Sequence, residues 1–166
     1  MNKIKGRVFK FGDYVDVDSM GAGGQGPPRD YVMTKIRPNF PKEVKPGDVI
    51  VAGKNWGAGS SGGGEGVARP LKELTLGAVV VDSAARLIYR SCISIGLPIL
   101  MCMGVSKIFN DGDQIELDVV TGEVKNMTTG RSITCKPLPE HLLKILEVGG
   151  IGPLFLEKAR QMGYTK

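Results

Sequence analysis

A short apolar run that leads directly into a glycine-rich stretch constrains the fold of this chain more than any other feature. Residues 49–52 read Val-Ile-Val-Ala, which is typical of a buried strand. Residues 53–64 follow as Gly-Lys-Asn-Trp-Gly-Ala-Gly-Ser-Ser-Gly-Gly-Gly, and a helical pattern begins near Glu65. Glycine permits positive φ angles and close backbone approach, and a helix start presents free N–H groups. The segment therefore predicts a strand, a tight turn and a helix, with a turn that could hold a carboxylate or a phosphate.

The glycine-rich turn leaves several chemistries open. It lacks the Gly-Lys-Ser/Thr end of a Walker A loop. Residues 57–62 match a dinucleotide-binding GxGxxG with Asp82 about 20 residues on, but residues 53–56 separate the strand from the first glycine. Residues 59–63 match the G-x-S-x-G of α/β-hydrolases, but the single histidine, His141, falls in a surface helix pattern, which disfavours a catalytic triad. A base or nucleophile at Ser60 and a purely structural turn both remain open.

The order of strands and helices predicts one α/β domain over residues 1–166. Besides the run at 49–52, apolar patterns at residues 3–11, 77–81 and 97–103 predict three more strands. A small β-meander and two C-terminal helices are expected to complete the domain.

Local signals predict where the helices begin. Ser83 is expected to cap a helix that runs to Ile95. The helix after the glycine turn is expected to start late, with Pro70 in its first turn, because proline is unfavourable in a helix interior. Pro153 is expected to open the last helix, which runs to Met162.

Composition and charge exclude some classes of protein. The net charge is +5, from 22 basic and 17 acidic residues, but the basic residues are scattered and aromatics make up only 6%. We therefore expect no nucleic-acid partner, and the mild positive balance suits a small anionic substrate or an acidic partner. No apolar run approaches the roughly 20 residues that span a bilayer, so no membrane association is expected.

The three cysteines, Cys92, Cys102 and Cys135, form no CxxC pair. An odd number of scattered cysteines disfavours a disulfide framework and also a metal or iron–sulfur site built by this chain alone. We expect them to be small buried side chains. Together with the absence of a signal-peptide pattern, this indicates a cytoplasmic protein.

Residues 49–61, which include the Gly-Ser-Ser turn, resemble the signature of the small subunits of 3-isopropylmalate dehydratase and homoaconitase, in the aconitase superfamily. The similarity continues in segments spread over the chain: 11–18, 45–48, 82–86, 89–90, 95–98, 111–113 and 121–126. It covers nearly the whole chain except residues 19–35 and 62–73.

The resemblance implies a single swivelling β/β/α domain, as in the aconitase C-terminal domain. Such a domain caps the active site of a large partner subunit that carries a [4Fe-4S] cluster, a Lewis acid for the substrate hydroxyl and carboxylate. It implies that Ser60 is the base that removes a proton next to a carboxylate, and that Ser61, Gly59 and Gly62 help to bind that carboxylate. The chain would hold no cofactor, would be inactive alone, and would serve amino-acid biosynthesis such as leucine biosynthesis.

The sequence departs from the family pattern in two substrate-binding parts. In the family an arginine follows the two serines and binds a substrate carboxylate, whereas here residues 62–64 are glycines. Arg69 is the nearest basic residue that could replace this arginine. The alternative is that Arg69 has a plain surface or packing role. The loop at residues 19–30 is glycine-rich and lacks the family's substrate-reading pattern; in it Arg29 could face the substrate or be solvated. We infer a substrate other than isopropylmalate, or a diverged paralogue.

Two other functions compete with the hydro-lyase small subunit. One is a non-catalytic binding or regulatory swivelling domain, consistent with the missing arginine. The other is a nucleic-acid-binding module, which only the net charge suggests. An isolated small subunit could also form a homo-oligomer, because the face meant for the large subunit would be exposed.

Several further residues have structural interpretations. Asp16 and Asp18 could orient the active-site loop or cap a turn. Arg86 and Arg90 lie one helical turn apart and are expected to make structural ion pairs rather than substrate contacts. Trp56 is expected in the core.

Overall fold

Seven strands form one mixed sheet in the computed structural model, which describes residues 3–21, 26–59 and 63–164. The strands are β1 (Ile4–Lys10), β2 (Val49–Ala52), β3 (Ala78–Val81), β4 (Ile99–Met101), β5 (Gln114–Leu117), β6 (Glu123–Asn126) and β7 (Ser132–Thr134). Across the sheet their order is β4-β3-β2-β1-β5-β6-β7. The helices are α1 (Val17–Met20), α2 (Phe40–Glu43), α3 (Gly63–Glu73), α4 (Arg86–Ser94), α5 (Glu140–Glu147) and α6 (Ile151–Gln161). The predicted α/β class and order of elements are confirmed.

Strand β1 joins a parallel half of the sheet to an antiparallel half. Its first residues, Ile4 to Arg7, pair antiparallel with β5, and Val8 to Lys10 pair parallel with β2. Every residue of β2 and β3 is buried, as expected for parallel strands covered on both faces. The parallel half therefore places the carboxyl ends of β1 to β4 along one edge.

Helices α3 and α4 follow β2 and β3 and pack against each other. A Cβ on Gly64 would stand 2.7 Å from Ser91 Oγ and 3.2 Å from Leu87 Cγ, so a larger residue here would require these side chains of α4 to move. The prediction that Pro70 lies in the first turn of α3 is wrong, because α3 already includes Gly63 and Pro70 lies inside it. The buried Pro70, Val67 and Leu71 show that the helix keeps its core contacts despite the proline.

The turn between α5 and α6 is attached to the end of α3 by a lysine side chain. Lys72 Nζ donates to the carbonyl oxygen of Ile95, and also to that of Gly149 at 2.6 Å. Helix α6 begins at Ile151 rather than at Pro153, and none of its residues is buried. The Phe155 and Leu156 side chains are exposed. No helix among the described residues has both the length and the apolar character needed to cross a bilayer.

Candidate active site

The segment after β2 extends the parallel sheet beyond its regular strands. Residues 53–58 run between residues 12–17, which follow β1, and residues 82–85, which follow β3. Isolated parallel bridges join Asp16 to Ala58 and Trp56 to Ala84. The carboxyl edge of a parallel sheet is the usual place for ligands in α/β proteins, so this extension is the candidate site.

On the β1 side, four hydrogen bonds hold the segment. The N–H of Gly53 donates to Gly12 O at 3.1 Å, and that of Gly57 donates to Val15 O at 2.7 Å. In the opposite direction, the N–H groups of Tyr14 and Val17 donate to the carbonyls of Lys54 and Ala58. A fifth bond comes from a side chain, because Lys54 N–H donates to Asp13 Oδ1 at 2.8 Å.

On the β3 side, Ser83 accepts two hydrogen bonds. Its carbonyl accepts from Trp56 N–H at 3.0 Å, and its Oγ accepts from Asn55 N–H at 2.8 Å. The prediction that Ser83 caps α4 is wrong, because the N-cap is Ala85 and Ser83 serves the neighbouring segment instead. The N–H of Ala85 in turn donates to Trp56 O at 2.9 Å.

Every backbone N–H from Gly53 to Gly57 therefore has an acceptor, which fixes the segment on both sides. Two of these five acceptors are side-chain atoms, those of Asp13 and Ser83, on the consecutive N–H groups of Lys54 and Asn55. The sequence prediction missed both roles. Asp13 was visible only as part of an acidic cluster, and Ser83 only as a possible cap.

Gly59 ends the described part of this segment. Its φ of +114° lies in a region that side-chain-bearing residues rarely adopt. A Cβ there would stand 3.3 Å from Val17 Cγ2 and 3.7 Å from Asp18 Oδ2. The segment that carries Asp13, Asp16 and Asp18, here called the acidic loop, therefore lies directly beside Gly59. Three predicted site residues that follow it, Ser60, Ser61 and Gly62, lie outside the described residues.

Asp16 has a clear structural role in the acidic loop. It is the N-cap of α1, and its Oδ1 accepts from Ser19 N–H at 2.8 Å while its Oδ2 accepts from Ser19 Oγ at 2.7 Å. These bonds, the one from the hydroxyl first, lower the pKa of the Asp16 carboxyl. The capping interpretation of Asp16 is thus confirmed.

Trp56 is fully buried, as predicted. Its indole Nε1 is buried and finds no hydrogen-bond partner among the residues that the structure describes. The side chain anchors the segment in the core three residues before Gly59.

The two predicted arginines lie close to α3, each beside an acidic neighbour. Arg69 pairs with Glu65 one turn earlier, and both side chains are largely exposed. It lines a shallow groove with Pro28 and Glu73. Arg29 is 54% exposed, and its Nε lies 3.8 Å from Asp30 Oδ1. Neither arginine has a hydrogen bond or ion pair with residues 53–59, so their substrate roles stay predictions.

Other singled-out side chains lie outside this site. Arg86 and Arg90 are exposed and make no ion pair with a described residue, so the expected structural ion pairs are wrong. His141 is exposed on α5, as predicted. Within the described ranges, no three His, Cys, Asp or Glu side chains form a group that could hold a metal ion.

All three cysteines are buried free thiols, as predicted. Burial raises the pKa of the Cys92 thiol to about 12. The thiols of Cys102 and Cys135 interact with each other, which lowers the pKa of the Cys102 thiol and, together with burial, raises that of the Cys135 thiol.

Comparison with known proteins agrees with this architecture. No protein-family model matches the chain. It is 44% identical over 161 residues to the isopropylmalate/citramalate isomerase small subunit of Methanocaldococcus jannaschii, covering 93% of this chain and 95% of the relative. It is 39% identical over 154 residues to the methanogen homoaconitase small subunit of Methanothermobacter thermautotrophicus, covering 89% and 88% of the two chains.

A solved structure extends the likeness to three dimensions. The crystal structure of a 3-isopropylmalate dehydratase chain from Methanocaldococcus jannaschii matches with a TM-score of 0.86 and 35% sequence identity, over 99% of this chain and 100% of that one. Identity of this level over nearly complete chains, together with the shared fold, shows common family membership. The chain is therefore a member of the family of 3-isopropylmalate dehydratase and homoaconitase small subunits, which work within heteromeric hydro-lyases.

Proposed function

We propose that this small subunit supplies Ser60 as the base for a hydro-lyase reaction on a small anionic hydroxy-carboxylic acid, and that it is inactive without its large subunit. The observation that supports this most is the segment before Ser60. Residues 53–57 have every backbone N–H bonded, so the chain arrives at the serine pair from a fixed position. Such preorganisation is what a reaction needs at the residue that moves a proton.

In the proposed reaction, the Ser60 oxygen, as its anion, takes a proton from the carbon next to a substrate carboxylate, and the hydroxyl on the neighbouring carbon leaves as hydroxide. The proton and the hydroxide together make up the molecule of water that is lost. The electron pair of the broken C–H bond forms the carbon–carbon double bond, and re-addition of water reverses the step. The backbone of Gly59 and Gly62 and the side chain of Ser61 would bind the carboxylate. N–H donors around the Ser60 oxygen in a closed site would stabilise its anion.

The iron–sulfur cluster belongs, in this proposal, to the large partner subunit. When bound there, the cluster would supply Lewis-acid chemistry for the departing hydroxyl. The described residues of this chain offer no group of three potential metal ligands, and its three cysteines are buried. The small subunit's own task is therefore proton transfer and substrate recognition.

Substrate choice would depend on the parts of the chain that differ from the family pattern. The relatives' names cover isopropylmalate, citramalate and homoaconitase chemistry, so a 2-hydroxy acid with two or three carboxylates is the substrate class we propose. Arg69 could replace the missing family arginine, because its exposed pair with Glu65 is worth little and opens easily. Arg29 is a second candidate beside α3.

We further propose that residues 1–166 form a single domain and that the complex works in the cytoplasm, where its buried thiols would stay reduced. No nucleic acid or membrane is proposed as a partner. The isolated small subunit could self-associate through the face that the large subunit covers.

The test is to co-express the chain with its native large subunit, purify the complex anaerobically, and follow enoate formation by ultraviolet absorbance over a panel of 2-hydroxy acids. We expect the wild-type complex to convert at least one acid and the Ser60→Ala complex to be inactive. Ser132→Ala, on the exposed edge strand β7, is the matched serine control and should keep full activity.

Two results would contradict the proposal. If Ser60→Ala is as active as wild type, Ser60 is not the base. If no large subunit binds, the alternative of a non-catalytic binding or regulatory swivelling domain replaces the hydro-lyase proposal. The missing arginine after the two serines would then reflect a lost substrate-binding role.

A further inference from the structure

The two side-chain acceptors of the segment 53–57 stand out because they serve neighbouring N–H groups from opposite sides. Asp13 Oδ1 accepts from Lys54 N–H at 2.8 Å on the β1 side. Ser83 Oγ accepts from Asn55 N–H at 2.8 Å on the β3 side. At this point the segment turns, since Asn55 has a φ of +53°.

The turn explains why side chains are needed here. The N–H groups of Gly53, Trp56 and Gly57 find carbonyl oxygens of the flanking segments. The N–H groups of Lys54 and Asn55 instead reach a carboxylate and a hydroxyl. Asparagine is one of the few side-chain-bearing residues that adopt a left-handed φ readily, so the sequence allows the turn, and side-chain acceptors on both sides fix its position. Asp13 and Ser83 are the side chains that hold it.

We propose that Asp13 and Ser83 are positioning residues for Ser60, acting through the backbone of Lys54 and Asn55. This inference rests on the proposed function of Ser60. Neither side chain needs to touch the substrate. Their loss would let the turn relax by a fraction of an ångström, and misplacement of about 1 Å at a reacting group can cost on the order of 100-fold in rate.

Both hydrogen bonds are solvent-exposed. Their removal can therefore change the position of the turn without changing the stability of the fold. Water can replace an exposed acceptor, so the free energy of unfolding should change little. The position of the turn is less well determined by water than by a side chain. The expected signature is therefore a lower kcat with a nearly unchanged KM and a folded subunit.

The kinetic experiment compares Asp13→Ala and Ser83→Ala with the conservative variants Asp13→Asn and Ser83→Thr, all in complex with the large subunit. We expect each alanine variant to lower kcat by about 10-fold, in keeping with modest misplacement of a reacting group. The conservative variants keep an oxygen acceptor and should restore most of kcat. Asp118→Ala is the matched control, since Asp118 accepts from Val120 and Thr121 N–H in the turn between β5 and β6.

Amide hydrogen exchange on the isolated small subunit supplies a readout that does not depend on activity. Asp13→Ala should speed exchange at Lys54, and Ser83→Ala should speed it at Asn55, with the strand amides of β3 unchanged. Unchanged exchange at these two amides would overturn the inference. So would unchanged kcat in both alanine variants while Ser60→Ala is inactive, and this result would leave the proposed function intact. Full activity in Ser60→Ala would overturn the proposed function and this inference together.

Discussion

The carboxylate of Asp13 occupies the space that a side chain on residue 53 would need. A Cβ on Gly53 would stand 1.7 Å from Asp13 Oδ1 and 2.9 Å from its Cγ. The same Oδ1 accepts from Lys54 N–H, so the glycine and the aspartate form one unit. The φ of Gly53 is not in the left-handed region, so the backbone conformation does not require glycine here. The neighbouring Asp13 carboxylate requires it instead, because it leaves no room for a side chain.

Gly53→Ala should destabilise the folded chain by displacing Asp13. The added methyl group overlaps the carboxylate and forces the Asp13 side chain out of its preferred position, and a side chain held off its rotamer costs about 0.5–1.5 kcal/mol. In an Asp13→Ala background the same substitution should cost less, because the colliding carboxylate is already gone. The measurement is a double-mutant cycle of urea unfolding, followed by the fluorescence of Trp56, the single tryptophan of the chain.

Gly12→Ala is the control for this cycle. A Cβ on Gly12 would meet nothing within 4 Å, and its φ is ordinary. It should therefore be neutral or slightly stabilising, because alanine has less conformational freedom in the unfolded chain. Additive costs for Gly53→Ala and Asp13→Ala would refute the coupling between the two residues.

The Asp16 cap predicts a specific dependence of stability on pH. The pKa of its carboxyl lies below its ordinary value because the Ser19 hydroxyl and N–H donate to the charged form. A carboxyl with a lower pKa in the folded state adds stability above its unfolded pKa and loses it as the pH falls through the folded pKa. Asp16→Asn keeps an oxygen acceptor for the cap but cannot titrate. We expect the wild type to be more stable than Asp16→Asn at pH 7 and the gap to close in acid.

Urea unfolding of both proteins at several pH values between neutrality and about pH 2 checks this, since the stability gap closes between the unfolded and the lower, folded pKa of the carboxyl. Asp30→Asn is a matched control, because Asp30 is an exposed acidic residue whose Arg29 neighbour lies 3.8 Å away. A gap between wild type and Asp16→Asn that stays constant with pH would count against the cap as a proton-linked interaction.

Cys92 should be inert to thiol reagents while the chain is folded. Its side chain is fully buried, and burial raises its thiol pKa to about 12, so little thiolate forms and no reagent reaches it. Labelling with a disulfide reagent at pH 8, followed by peptide mass spectrometry, should modify Cys92 only as fast as the protein opens. In denaturant all three cysteines should react quickly. Rapid labelling of Cys92 under native conditions would contradict the buried position.

Patterns of apolar residues predicted the sheet better than polar signals predicted the helix starts. The runs that became β2 and β3 are short and continuously apolar, and each has a glycine directly at one end, which favours a buried strand over a helix. The predictions that Ser83 caps α4 and that Pro70 lies in the first turn of α3 failed for the same reason. A cap or a proline is a local preference, and tertiary contacts outweigh it. Ser83 lies beside Asn55, which sequence spacing alone does not reveal.

The sequence indicates which segment to consider as the candidate site, but not which hydrogen bonds hold that segment in place. The strand–turn–helix pattern and the family resemblance both indicated residues 53–64. The hydrogen bonds from Asp13 and Ser83 depend on three chain segments that meet only in the folded sheet. Likewise, the pairing of Arg69 with Glu65 follows from helical spacing once Pro70 is placed inside α3, and the sequence analysis had placed the helix start too late.

The hydrogen bonds of Lys72 indicate how the C-terminal helices α5 and α6 are held against the rest of the domain. Its ammonium donates to the carbonyls of Ile95 and Gly149, which ties the end of α3 to the end of α4 and to the turn before α6. Burial lowers its pKa, but both acceptors favour a charged donor. Lys72→Met keeps the apolar stem and removes both bonds, and we expect a loss of about 1–3 kcal/mol in stability, as for hydrogen bonds made by charged groups.

The loss from Lys72→Met should be local, because α6 has no buried residue of its own to hold it. Hydrogen exchange should speed up over α5 and α6 and stay slow in β3. Lys158→Met, an exposed change on α6 itself, is the control and should leave exchange as in wild type. If Lys72→Met instead speeds exchange equally throughout the chain, the C-terminal helices unfold together with the sheet and Lys72 is not a separate tether.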